Sequence, residues 1–457
     1  MQTLGGPISK KRKTVSGFSF SEQQLADLVG QVLDEARDQG ATDCDVDISE
    51  SFGQNVSVRL GEVETIEYNR DKGMGVTVYQ GQQKGHASTS DFSANALADT
   101  VRAALAIARF TAADEFAGLP DKALLATHFP DLDLYHAWDL PVEEAIRLAT
   151  ECEDAARAVD PRITNSEGGS ASTHASRWAY GNSLGFVGTG TGSRYSLSAA
   201  VIAEDASGMQ RDYWYTSMRD PAELESAVSV GRKAGERAVR RLGAKRVKTG
   251  EYPVLFEASL ASSLLGNWVN AVSGSSLYRK SSFLTDSLGK AVFAPCVTIV
   301  DDPFLKKGLG SSVFDAEGVA TQRRTLIDAG VQQGYFLSSY SARKLGMQST
   351  GNAGGAHNLL VTPTASFEEL LAELGTGLFV TELLGHGTNM VTGDYSRGAA
   401  GFWVENGKIR YPVEEITVAG NLRDMFKDII GMGSDIQLSS SRRVGSLLIR
   451  RMTVAGE

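Results

Sequence analysis

Glycine constrains this chain more than any other feature: 49 of its 457 residues are Gly, well above an average usage of about 7%. Many punctuate the second half, at Gly308, Gly310, Gly346, Gly351, Gly354, Gly355, Gly375, Gly377, Gly385 and Gly387. Glycine supplies positive-φ turns and lets another backbone come close. The second half is therefore expected to be short β-type segments joined by tight turns, an arrangement that suits the holding of an extended peptide.

The first half reads differently. Ser21 is placed to cap a helix whose Leu25, Leu28, Val29, Val32, Leu33 and Ala36 recur with the 3.6-residue period. Alternating segments follow around Val46 and Ile48, around Val56, Val58 and Leu60, and around Val76 and Val78, before a turn at Gly81. Ser93 then opens a second amphipathic helix through Leu97, Val101, Leu105 and Ala108. Helix, antiparallel strands, helix is an α+β unit with its helices on one sheet face. A Pro/Asp/Ala-rich linker over 111–141 leads to a helix over 142–159. A meander over 163–203 is expected to turn at Asn182-Ser-Leu-Gly185 and again at Gly188-Thr-Gly-Thr-Gly192. A helix near 222–242 and a charged linker over 243–250 close this region. The expected organisation is a tail over 1–20, an α+β unit over 21–115, a helix-and-meander region over 116–246, and a mixed, β-rich domain over 247–457. The last opens with a strand over 252–256 and a helix over 258–272, and carries another helix over 367–374. The fold class is α+β.

Composition excludes several functions. Hydrophobic residues are 42% and charged residues 22% of the chain, which disfavours disorder, and no window approaches the roughly 20 apolar residues that span a bilayer. The Lys10-Lys-Arg-Lys13 run is followed by no apolar stretch, so a signal peptide is not read and a cytoplasmic location is expected. A net charge of -10 argues against direct nucleic-acid binding. Cys44, Cys152 and Cys296 are odd in number and widely spaced, and read as buried small hydrophobes.

Three motifs in the second half carry a resemblance: Ser338-Ser-Tyr-Ser-Ala-Arg-Lys-Leu-Gly346, the run from Thr392-Gly-Asp-Tyr-Ser-Arg-Gly398 to Gly407, and Glu415-Ile-Thr-Val-Ala-Gly-Asn-Leu422. In this order they resemble the TldD/PmbA family, in its PmbA (TldE) branch, over nearly the whole chain. The resemblance implies a role in proteolysis. In the TldD branch a helix reading His-Glu-x-x-x-His and a later Cys hold zinc. Two imidazoles fix the metal while the carboxylate activates its water. The matching segment here reads Ser263-Leu-Leu-Gly-Asn-Trp-Val-Asn-Ala-Val-Ser-Gly274, so Gly266, Asn267 and Ala271 stand where the first His, the Glu and the second His would be. No cysteine follows Cys296. On this resemblance the chain carries no zinc, and a TldD-like partner carries it.

Other chemistries fit the sequence less well. Glu382, His386 and His357 form an alternative ligand set for a self-sufficient metal hydrolase, against a hydrogen-bonded loop histidine. Gly188 to Gly192 lacks the Lys-Ser/Thr and helix of a phosphate loop, and no serine cluster forms a nucleophile elbow. Asp394, Tyr395, Ser396 and Arg397 place charge, a ring and a hydroxyl on one turn suited to a partner or a peptide. Phe402-Trp-Val404 beside them reads as strand core. Tyr278 and Arg279, after the altered helix, are a second candidate contact, weighed against a solvated loop. The family implies a heterodimer or higher assembly with a TldD-like chain, or a homodimer without it, and extended or unfolded peptide substrates such as antitoxins and peptide-antibiotic precursors. The alternative of another class is a non-enzymatic modulator of DNA gyrase or another protein.

Overall fold

The computed structural model describes residues 17–457. The basic run at Lys10–Lys13 and most of the expected tail lie outside the described residues. Residues 17–20 do not behave as a tail. The amides of Ser19 and Phe20 donate to the buried carboxylate of Glu50, and Phe18 meets Phe52 edge-on at 4.9 Å.

Helix α1 (Glu22–Asp38) starts at Ser21, whose hydroxyl accepts from the Gln24 amide while the Gln24 side chain returns to Ser21, so two donors at the helix start are satisfied. Strands β1 (Asp43–Arg59), β2 (Glu62–Gln80) and β3 (Gln83–Thr89) lead to α2 (Ala94–Phe110). Helix α3 (Val142–Arg157) precedes β4 (Ile163–Asn182), β5 (Phe186–Asp205), β6 (Gly208–Met218) and α4 (Ala227–Arg240). The strands form one sheet in the order β3-β2-β1-β4-β5-β6, every neighbour antiparallel. Even-numbered residues of β1 enter both cores of this half. Val46 and Ile48 pack under α1 and α2, and Val56 packs under α3 and α4, so all four helices cover one face.

Two expectations are corrected here. The segments around Val46 and Val56 are one strand, not two, and the β1–β4 ladder joins the strands before residue 115 to those after it in one sheet. The chain turns at residues 183–185 but not at Gly188 to Gly192, which runs mid-strand opposite residues 176–180. Its glycines make room for rings: a Cβ on Gly188 would lie 2.6 Å from Phe314 and one on Gly190 2.4 Å from Trp178.

The second half opens with β7 (Gly250–Phe256), α5 (Ala258–Ala271) and α6 (Gly274–Tyr278), then β8 (Ile299–Asp302), β9 (Arg324–Asp328), β10 (Val331–Gln332), α7 (Ser339–Leu345) and β11 (Asn358–Val361). It ends with α8 (Phe367–Leu374), β12 (Gly377–Leu384), β13 (Asp394–Glu405), β14 (Lys408–Asn421), α9 (Leu422–Lys427), β15 (Ile429–Met432), β16 (Arg442–Arg443) and β17 (Leu447–Ala455). The larger sheet runs β14-β13-β12-β7-β17-β15, and β14 also pairs with β17, closing the strands on themselves. A smaller sheet, β10-β9-β8-β11-β16, lies beside it. Helix α5 is buried between them. Trp268 is 0% exposed, meets Phe293 and Phe336 edge-on at 5.7 and 5.8 Å, and donates its indole N–H to Gln332 at 2.9 Å.

The charged segment 243–250 is strapped down. Val247 is buried, Lys245 bridges to Val413, and Glu457 at the chain end exchanges backbone hydrogen bonds with Val247 and Thr249. The whole molecule is α+β, helices over a sheet in one half and a closed, β-rich second half.

Candidate functional site

Helix α5 presents the residues singled out by their place on the altered helix. Gly266 and Ala271 are buried and Asn267 is half-buried. None supplies an imidazole or a carboxylate. What stands beside Gly266 is the guanidinium of Arg442: a Cβ at Gly266 would lie 3.0 Å from its Nη1 and 3.3 Å from its Cζ. Arg442 also lies at Nη1 3.4 Å from the Ser262 carbonyl, and Ser262 meets Ser440 hydroxyl to hydroxyl at 3.3 Å. Burial lowers the pKa of this guanidinium, and among the described residues no carboxylate is paired with it. A guanidinium stays protonated regardless. A fixed positive charge packed on the helix opposes a divalent cation at the same place, so these residues do not fit a zinc ion.

The alternative ligand set is taken apart by the fold. His357 is buried just before β11, where its amide donates to Asp301 at 2.9 Å and its Nδ1 lies 3.2 Å from the other Asp301 oxygen and 3.3 Å from Asn352. Glu382, on β12, is ion-paired with Arg241, the residue that caps the end of α4, at 2.5 Å. His386 sits exposed in the loop after β12, between Gly385 at φ 71° and Gly387. Among the described residues no group of three or more His, Cys, Asp or Glu side chains is placed to hold a metal. The reason is partner choice: Arg241 and Asp301 already satisfy the groups that proximity in sequence suggested as ligands.

The contact candidates divide. Tyr395 is 2% exposed and belongs to the core, so it is not a surface contact. Asp394 is exposed but serves its own turn, accepting from Thr392 Oγ1 at 2.6 Å and from Asn421 at 3.1 Å, which holds its carboxyl below the usual range. Arg397 is half-buried and reaches the Leu383 carbonyl at 3.4 Å. Ser396 is exposed. Asn421 also caps α9, so the second and third motifs meet across the β13–β14 ladder through one side chain. Phe402, Trp403 and Val404 are buried strand core. Tyr278 stacks edge-on against Tyr340 at 5.8 Å, and the exposed Arg279 lies over the Tyr278 ring and donates to its hydroxyl at 3.1 Å.

The first motif is a clamp that sequence reasoning did not assign. Helix α7 is closed by a Ser338/Ser341 capping box and a left-handed Gly346. From it Tyr340 donates to Asp114 at 2.7 Å, Lys344 lies 3.6 Å from the same carboxylate, and Arg343 donates to the carbonyls of Phe116, Gly118 and Leu119. A second unassigned cluster joins the halves: Arg237 of α4 binds Asp212 at 3.1 Å and Glu257 at 2.6 Å, while Arg241 reaches Glu382. The only sequence signal was a surplus of arginine in α4. Cys44 and Cys152 are buried, and burial pushes both thiols up to about 12, but Cys296 is exposed, against expectation.

The site thus lies on α5 inside a closed β-rich half, docked on an antiparallel sheet with helices on one face. Residues 44–108, 135–242 and 249–456 match, in that order, domain 1, the central domain and the C-terminal domain of PmbA/TldA metallopeptidases. The chain belongs to the PmbA/TldD family. It is 47% identical over 447 residues to the metalloprotease PmbA of Escherichia coli O157:H7, covering 97% of this chain and 99% of that one. A TldD homologue of Haemophilus influenzae is 24% identical over 79% of each chain. A crystal structure from Bacteroides thetaiotaomicron bearing the name of a DNA gyrase modulator superposes with TM-score 0.91 at 30% identity, over 96% of this chain and all of the other. TldE of Thermococcus kodakarensis shares the fold, with TM-score 0.82 at 19% identity, over 94% of this chain and all of that one.

Proposed function

We propose that this chain is the non-hydrolytic subunit of a cytoplasmic, heteromeric metalloprotease whose TldD-like subunit carries the zinc and cuts unfolded peptides. The observation that carries the reading is the Arg442 guanidinium packed on Gly266, where the helix offers neither a ligand nor a general base. Its membership of a family of metallopeptidases supports a place in proteolysis, and its greater likeness to relatives called PmbA than to those called TldD supports a chain distinct from the TldD-like one. No helix of the described residues is long and apolar enough to cross a membrane. In this assembly the chain contributes walls and peptide contacts, and positions the substrate for chemistry done elsewhere.

The test mixes purified chains. Each alone and both together are given an unstructured peptide, with and without a chelator. Chelator-sensitive cleavage by the mixture and by neither chain alone is the expected result. Chelator-sensitive cleavage by this chain alone overturns the reading, and no cleavage in any combination favours a regulatory protein instead.

A further inference from the structure

Strand β5 has an open edge that neither half of the fold uses. From Tyr195 onward it pairs with β6, but Phe186 to Arg194 pairs only with β4. At Ser193 the free side is closed by one hydrogen bond, in which the Ser193 amide donates to the Leu134 carbonyl at 3.0 Å. At Phe186 it is closed by the stacked ring of Phe129, 6.2 Å away. Backbone groups along a strand point alternately to either side. Because Ser193 turns its N–H outward, Val187, Thr189 and Thr191 turn theirs outward too, and no described group pairs with them. Between the two closures the chain 129–135 bows away, leaving a cleft of about 960 Å³ lined by β5, the start of α1, Arg177 and Phe314.

The lining shows what fits. Residues 187–191 span about 13 Å of strand, room for an extended segment of about five residues whose ends leave the sheet plane. On the α1 side, Glu22 accepts from the hydroxyls of Thr189 and Thr191 at 2.8 and 2.5 Å and has no cationic partner among the described residues. Asp131, also on the cleft, has none either. The lone cation on the lining, Arg177, is spent on the Phe20 carbonyl, the Thr191 hydroxyl and the Phe18 ring, 4.1 Å away. Phe129 and Val187 are 48% and 42% exposed there. We propose that this cleft binds a short extended peptide as an added strand on β5, its basic side chains toward Glu22 and its apolar ones toward Phe129 and Phe314. Main-chain pairing supplies affinity independent of sequence, and the carboxylates supply the preference. The inference rests on the peptide-handling role proposed above and names a site for it.

The probe is a fluorescent acetyl-Lys-Val-Lys-Val-Lys-amide titrated onto the full-length chain alone, beside the same peptide N-methylated at alternate amides and a Glu-for-Lys version. Thr189→Pro removes one outward N–H on an edge position that tolerates proline. Thr189→Pro is expected to weaken binding at least about tenfold, and Glu22→Gln to weaken the Lys peptide but not the Glu peptide. Thermal unfolding of both variants confirms that they fold, and Thr189→Ala, which keeps the amide, is expected to bind nearly as the parent does. Equal binding of the N-methylated peptide, or parental affinity in Thr189→Pro, overturns the proposal. So does self-association abolished by Thr189→Pro without peptide binding, which assigns the edge to a second copy of the chain. If the two-chain mixture cuts peptides while this cleft binds none, only the cleft fails. Binding here with no cleavage by any mixture sinks the subunit reading and leaves the cleft standing.

Discussion

Asp45 shows how a single residue acquires properties its sequence neighbourhood hides. It lies on β1 across from Thr77, which in turn faces His86 on β3, on the sheet face away from the helices. Burial pushes its carboxyl up to about 7, against the opposing pull of Lys84 and the Thr77 hydroxyl, while Asp47 adds to the rise. A carboxyl with a raised folded pKa binds more protons folded than unfolded, so stability falls as pH rises from about 4 through 7. Asp45→Asn is therefore expected to stabilise the protein by about 1–2 kcal/mol at pH 8 and hardly at all at pH 4.5. Urea midpoints at the two pH values check this, and an equal gain at both would remove burial of charge as the cause. At this scale the sequence was informative about residue type. Gly266, Asn267 and Ala271 announce by their chemistry that they are no ligands. That Arg442 fills the space was not legible, because the two positions meet only through the packing of α5 against β16.

Among the elements, the β1–β2 hairpin depends on a residue from a helix far along the chain. Glu153, on α3, is 0% exposed, and its carboxylate accepts from the turn amides of Leu60 and Gly61 at 2.7 and 2.9 Å. Glu153→Ala would bury two unpaired donors and is expected to cost about 2–4 kcal/mol. Chemical denaturation measures the loss, and early protease nicking near residue 60 would locate it; an unchanged midpoint refutes the assignment. Helix starts were legible in part: Ser21 carries its capping box and Ser93 precedes α2 without a side-chain cap, while the capping boxes of Ser338 and Ser366 went unread. Helix 367–374 falls where its period places it. Strand lengths were not legible. Polar runs such as Ser49 to Asn55 look like connections, yet they are paired on both sides by β2 and β4, and ladder hydrogen bonds ask nothing of side-chain polarity. The same holds for Gly188 to Gly192, whose glycines fit rings from Trp178 and Phe314 and do not turn the chain.

For the molecule as a whole, the joint between the halves decides behaviour. Arg343 ties three carbonyls of the connecting chain to the second half, and Arg237 and Arg241 anchor α4 to Glu257 and Glu382. Arg343→Ala is expected to lower stability by about 2–3 kcal/mol and to raise hydrogen exchange over residues 111–141 while leaving the core of α1 protected. Exchange that rises uniformly would show that the clamp is not local. By itself the sequence determined the α+β class, the start of α1, the β-rich character of the second half and the absence of imidazole and carboxylate groups at Gly266, Asn267 and Ala271. Each of these is written in side-chain period, capping residues or residue type, all of which act over a few positions. Only the tertiary structure decided that one sheet unites the first half, that Tyr395 is core, that His357 belongs to Asp301 and Glu382 to Arg241, and that β5 keeps an open edge. Those outcomes turn on which of several chemically equivalent partners the folded chain brings within hydrogen-bond distance, and local sequence carries no record of that choice.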